Sequence, residues 1–248
     1  MNQKTKALCI WIDSALPLEE SIAFFEKLMS AESGKKFNKL ILGGTDKSQK
    51  NWKILSRSFN NSPNGLNRLG LFLNEKEKLL SGLSYEWVKL LDDFKYQAVD
   101  IDIAIDYSTG DSNELHFFFN ENENPNINLI SILTGTYNFL KRKNISIKYG
   151  FSLIMENKKM PTFFCSGYGT GTLKEGNGYL NDQEEDIVSE IANKDIQKLI
   201  TRPFDIQIIN KDYIDLSDTN IKKLRRNRVL IESNEDIFIF TLPVGADL

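Results

Sequence analysis

Histidine is nearly missing from this chain: one residue of 248, His116, is histidine, and two, Cys9 and Cys165, are cysteine. Zinc sites are built mainly from those two residue types, so a zinc centre here would need several carboxylates to complete it. Two cysteines in apolar surroundings make no disulfide framework and read as buried, reduced thiols. Long apolar runs are missing as well. No segment approaches the roughly 18 consecutive apolar residues that span a bilayer. The run 7–12, behind the polar start 1–6, is too short for the core of a secretion signal and its cleavage site. The expectation is a cytoplasmic protein with no membrane segment. Nor is there an excess of one charge: 31 Lys and Arg against 34 Asp and Glu leave a formal charge of −3. That lacks the basic footprint of a nucleic-acid binder.

What is present is the composition of a folded domain. With 41% apolar and 26% charged residues, the chain can build a substantial core and is not a disordered segment. The many Asn, Lys and Ile residues have the look of an AT-rich bacterial or phage gene.

The order of elements sets the fold class. Residues 7–13 are β-branched and aromatic and read as a strand. Pro17 opens a helix over 18–31, with Glu19 and Glu20 where the helix dipole favours them and Ile22, Phe25, Leu28 and Met29 as its stripe. Gly34 ends it. Residues 39–42 read as a short strand stopped by Gly43-Gly44. Asp46 caps an expected helix carrying Trp52, Ile54, Leu55 and Phe59, and Ser84 caps another carrying Trp87, Val88, Leu90, Leu91 and Phe94. Strands 99–107 and 114–120 form an antiparallel hairpin. A helix over 127–143, a strand over 145–155, a strand over 162–166, an amphipathic helix over 182–200 and a strand over 204–209 follow. Ser217 caps a short basic helix, and 229–231 with 237–242 close as a hairpin. Paired strands with interspersed helices point to α+β: a mixed, mostly antiparallel sheet with helices packed on it. The pattern fits a single domain, and it admits two similar-sized lobes dividing near 120–126.

The segment Val99-Asp100-Ile101-Asp102-Ile103-Ala104-Ile105-Asp106-Tyr107 carries the clearest pattern in the chain. A strand sends successive side chains to opposite faces. Val99, Ile101, Ile103, Ile105 and Tyr107 therefore belong to a core, and Asp100, Asp102 and Asp106 share the other face. Three carboxylates on one face make either a metal or cation site or a water-facing acidic strip, which could also serve as a contact surface.

Other candidates are weaker in pattern. Gly167-Tyr168-Gly169-Thr170-Gly171-Thr172-Leu173 is rich in glycine, but no Gly-Lys-Ser/Thr leads into a helix as a phosphate loop requires. A hairpin or bulged strand accounts for it, and Tyr168 and Tyr179 flank it as candidate protein contacts. His116 alternates with Leu115 and Phe117 and is expected as a hydrogen-bonded surface residue. Cys165 has apolar neighbours that would keep its thiol neutral. Lys222, Lys223, Arg225, Arg226 and Arg228 form the one concentrated basic patch, best explained as a solvated helix face. No cofactor motif is present and no cofactor is expected.

Two resemblances bear on function. Leu42-Gly43-Gly44-Thr45 followed by Asp100-Ile101-Asp102-Ile103 resembles the nucleotidyltransferases, and would imply a metal-dependent enzyme with Asp100 and Asp102 as ligands. In that family the two elements lie on adjacent strands of one hairpin, whereas more than fifty residues separate Gly44 from Asp100 here. The succession of strand 7–13, helix 18–31, hairpin 99–120, helix 127–143 and the strand segment Tyr149-Gly150-Phe151-Ser152 resembles bacterial immunity proteins of polymorphic-toxin or type VI secretion systems. That resemblance implies a non-catalytic inhibitor with a toxin as protein partner. Asp100, Asp102, Asp106, Tyr168 and Tyr179 are then the contact residues. An adaptor or structural protein is the third reading, and a homodimer is compatible with all three.

Overall fold

The computed structural model describes residues 4–35, 39–46, 53–60, 64, 67–68, 80–90, 97–106, 113–156, 190, 195–200, 202, 204–212, 229–233 and 236–241. Its strands are β1 (Lys4–Ile12), β2 (Lys39–Asp46), β3 (Lys53–Asn60), β4 (Leu80–Leu90), β5 (Gln97–Asp106), β6 (Asn113–Asn120), β7 (Ile147–Glu156), β8 (Ile206–Asn210), β9 (Val229–Ser233) and β10 (Ile237–Thr241). The helices are α1 (Leu18–Ser33), α2 (Leu129–Arg142) and the four-residue α3 (Ile196–Leu199). All ten strands join one sheet in the order β3-β2-β4-β5-β6-β1-β7-β8-β10-β9. Every pairing is antiparallel. The α+β class expected from the sequence is thus the class of the fold. Strands from both sides of residues 120–126 share the sheet.

The strand β1 lies at the centre, between β6 and β7. Its sequence Ala7-Leu8-Cys9-Ile10-Trp11-Ile12 is apolar at every position, as a strand covered on both faces demands. All six residues are buried. Leu8, Ile10 and Ile12 point to the helix side, where they join Leu115, Phe117 and Phe119 of β6, Ile101 and Ile103 of β5, and Ile206 and Ile208 of β8. Over them lie α1, through Phe25 and Met29, and α2, through Ile132, Leu133, Phe139 and Leu140. Ring contacts lock this layer: Phe24 stacks on Phe139 with centroids 4.1 Å apart, and Phe25 meets Phe117 edge-on at 5.6 Å.

Local chemistry fixes both long helices. Gly34 adopts φ +68° and its N–H donates to the Ser30 carbonyl, the left-handed stop that glycine adopts without a side-chain clash. Asn128 caps α2, its Oδ1 accepting from the N–H groups of Ile130 and Ser131 at 3.1 Å each. Lys141 and Arg142 sit in the last turn, where the dipole favours cations. The helices touch closely at Gly135, where a β-carbon would come within 2.9 Å of Leu28. Ion pairs and hydrogen bonds tie their rims: Lys143 to Glu20, Ser131 to Glu32, and Lys35 to Asn124 beyond α1.

Four expectations need correction. Of the helix expected at 46–59, the described residues 53–59 are instead in strand β3, in register with β2 from Lys39↔Asn60 to Asp46↔Lys53; Trp52 lies outside the described residues. Ile54, Ser56 and Ser58 alternate there with Leu55, Arg57 and Phe59. Adjacent Ile54 and Leu55 imitated a helical stripe. Of the helix expected at 84–94, residues 84–90 are instead part of strand β4, where Leu83, Tyr85 and Trp87 alternate with Ser84 and Glu86; 91–94 lie outside the described residues. The register shifts at Trp87/Val88, where β5 carries the extra residue, Asp100; Trp87 and Val88 are simply adjacent apolar residues of one strand, and that adjacency imitated a helical stripe. The strand expected to stop at Leu42 continues through the glycines to Asp46. Gly43 faces Gly82 of β4, and the register shifts directly after it, so the pair marks an irregularity inside the strand. The fourth concerns His116, which is buried rather than on the surface. Of the helix expected over 182–200, Ile196–Leu199 is helical, with the Lys198 N–H donating to Asp195 Oδ1. The expected strand 162–166 and the basic helix after Ser217 lie outside the described residues.

Candidate functional site

The sheet face away from α1 and α2 is also buried at its centre, but with different chemistry. Cross-strand register places its residues in rows. Trp11 of β1 stands between Glu114 of β6 and Tyr149 of β7, and Cys9 stands between His116 and Phe151. All six are buried. Trp11 and Tyr149 pack with ring centroids 5.5 Å apart, and Phe151 stacks on Phe204 at 4.5 Å. Gln207 of β8 continues the row beyond Phe151. Its Nε2 donates to the carbonyls of Leu199, Ile200 and Arg202 at 3.0–3.3 Å, holding the end of α3 to the sheet. Arg202 in turn grips Glu190 through two hydrogen bonds of 2.9 and 2.7 Å, the forked geometry that makes such pairs strong.

His116 was expected on the surface, yet it is fully buried. Alternation along β6 puts His116 on the side away from the two long helices, with Glu114 and Phe118, and at the central strands that side does not face water. The ring instead lies 3.1 Å from Glu114 Oε2 through its Nε2 and stacks on Phe118. Glu114 is the charge that makes the burial of a polar ring tolerable. Together Cys9, His116 and Glu114 bring a thiol, an imidazole and a carboxylate onto neighbouring strands. They do not make a nucleophile. Burial pushes the Cys9 thiol well above its usual range, and the Glu114 carboxylate pushes it the same way. A neutral thiol is a small apolar group rather than an attacking one. Cys9 is a buried free cysteine, as its apolar run implied. Among the described residues, no group of three or more His, Cys, Asp and Glu side chains is placed to hold a metal ion.

The acidic strand adjoins this layer. Ile101 and Ile103 are buried in the core, as the alternation requires. Asp102 stands in register between Glu86 of β4 and Phe118 of β6, and Asp106 stands between Gly82 and Glu114. Two like-charged pairs, Glu86↔Asp102 and Asp106↔Glu114, therefore sit directly opposite each other across three strands. Asp100 falls at the bulge, where Trp87 pairs with Ile101 and Val88 with Val99. It has no counterpart in the β4 register, and the simple alternation is interrupted there. Gly43 and Gly44 lie on β2, and β4 runs between that strand and β5. Tyr168, Tyr179, Cys165, the glycine-rich run and the basic patch at 222–228 lie outside the described residues. Sequence reasoning missed Glu114 and Gln207. The signal for Glu114 was a carboxylate two positions from the one histidine, a spacing that puts both on one strand face.

The arrangement defines an α+β protein built on one wide antiparallel sheet, its centre buried on both faces and a neighbouring strand bearing carboxylates. Comparison with known protein families, with curated proteins and with solved structures finds no match. Among the described residues, no helix is long and apolar enough to cross a membrane.

Proposed function

We propose that this chain is a non-catalytic binding protein of the bacterial cytoplasm: an immunity protein that neutralises a cognate toxin by covering its active site. The observation that supports the reading is the register of the acidic strand. Like charges directly opposite one another in a sheet are destabilising, so Glu86↔Asp102 burdens the folded chain, while the Glu114 opposite Asp106 is already met by His116. A partner presenting Lys and Arg offsets that burden on binding. Carboxylates arranged along a strand also imitate the charge of a phosphate-bearing substrate, and complementary charge speeds encounter. The partner is then a toxin with a basic active-site face, and Asp100, Asp102 and Asp106 are the contact residues on β5.

Co-expression tests this reading. The gene adjacent to the one encoding this chain is expected to encode a toxin that arrests growth when expressed alone. Growth should return when the two are expressed together, and the purified proteins should form a complex whose association slows as salt rises. A neighbouring product that is harmless, or that fails to bind this chain, overturns the reading.

A further inference from the structure

We draw no further inference here: the strongest candidate, the buried cluster of Cys9, Trp11, Glu114 and His116 on the sheet face away from the two long helices, is a protonated thiol beside a His–Glu pair, and nothing in the structure shows a ligand reaching it.

Discussion

Two strands of the same sheet, β1 and β5, are written in different codes. The first is apolar at six consecutive positions and is buried on both faces. The second alternates, with Ile101 and Ile103 in the core and Asp102 and Asp106 at the intervening positions. One strand, β6, lies between them, and it is intermediate in composition as well: Leu115, Phe117 and Phe119 on one side, Glu114, His116 and Phe118 on the other. Over three neighbouring strands the face away from the helices thus passes from Cys9 and Trp11, through a His–Glu pair, to aspartates. The helix-side face stays uniformly apolar across the same strands. The two faces of these strands thus differ in chemistry, although both are buried at the centre of the sheet.

The comparison breaks most severely at the constant face. Phe117 is fully buried beneath Phe25, and Phe117→Ala should lower the unfolding free energy by about 3–5 kcal/mol, read as a fall in the urea midpoint at unchanged slope. A loss below ~1 kcal/mol would show that the helix layer does not depend on this ring.

A substitution at β7 tests how tightly the centre is built. A β-carbon at Gly150 would lie 2.5 Å from Ile208 Cδ1 and 2.9 Å from the Cys9 carbonyl oxygen. The isoleucine can move, but the backbone of the central strand cannot. Gly150→Ala is expected to cost about 1–3 kcal/mol, where the same change at an unstrained, open site would stabilise. A Tm equal to or above that of the parent protein contradicts the close approach of β7 to β1.

Legibility in the sequence followed the same two codes. Where a strand obeyed one code cleanly, as in 7–12 or 101–103, its type and its buried residues could be read directly. The helices at 18–33 and 129–142 were equally plain, because Gly34 and the basic last turn punctuate them. Reading failed where irregularities broke the period. The adjacent apolar residues Trp87 and Val88, at a register shift whose extra residue is Asp100, broke the alternation of β4, and the glycines of β2 imitated a turn. His116 shows a deeper limit. Periodicity assigns a residue to a face, but whether that face meets water depends on what packs over it, and that packing is non-local. The acidic positions were legible. Their alignment with Glu86 and Glu114 was not, because register between strands is set by pairing rather than by either strand alone.

The graded face should respond to pH. The Cys9 thiol is held protonated in the folded chain, whereas in the unfolded chain it ionises near pH 9.0. Its contribution is therefore fully present below that pH and is lost as pH rises toward the elevated folded value. Subtracting the urea midpoints of Cys9→Ala from those of the parent protein should give a difference that is flat at neutral pH and turns against the parent above pH 9.0. A difference that stays flat would mean that the thiol is open to solvent.

The smallest effect on stability is expected at the acidic strand. Replacing Asp102 and Asp106 by Asn removes one charge from each like-charged pair, and should leave stability unchanged or raise it by about 0.2–1 kcal/mol. The same double change should slow association with a basic partner. Destabilisation by more than ~1 kcal/mol would mean that these carboxylates serve the fold instead.

The central position of β1 also has a consequence for synthesis on the ribosome. Its register partners are remote: Thr5 pairs with Asn120, and Lys4 with Glu156. At ~5–20 residues per second, the strand leaves the ribosome on the order of ten seconds before its second neighbour has been made. During that interval an apolar ribbon with two open edges waits for both sides of its sheet, the kind of segment that invites pairing with other nascent chains. Synthesis on crowded polysomes, more than heat, is where this protein would be most dependent on chaperones.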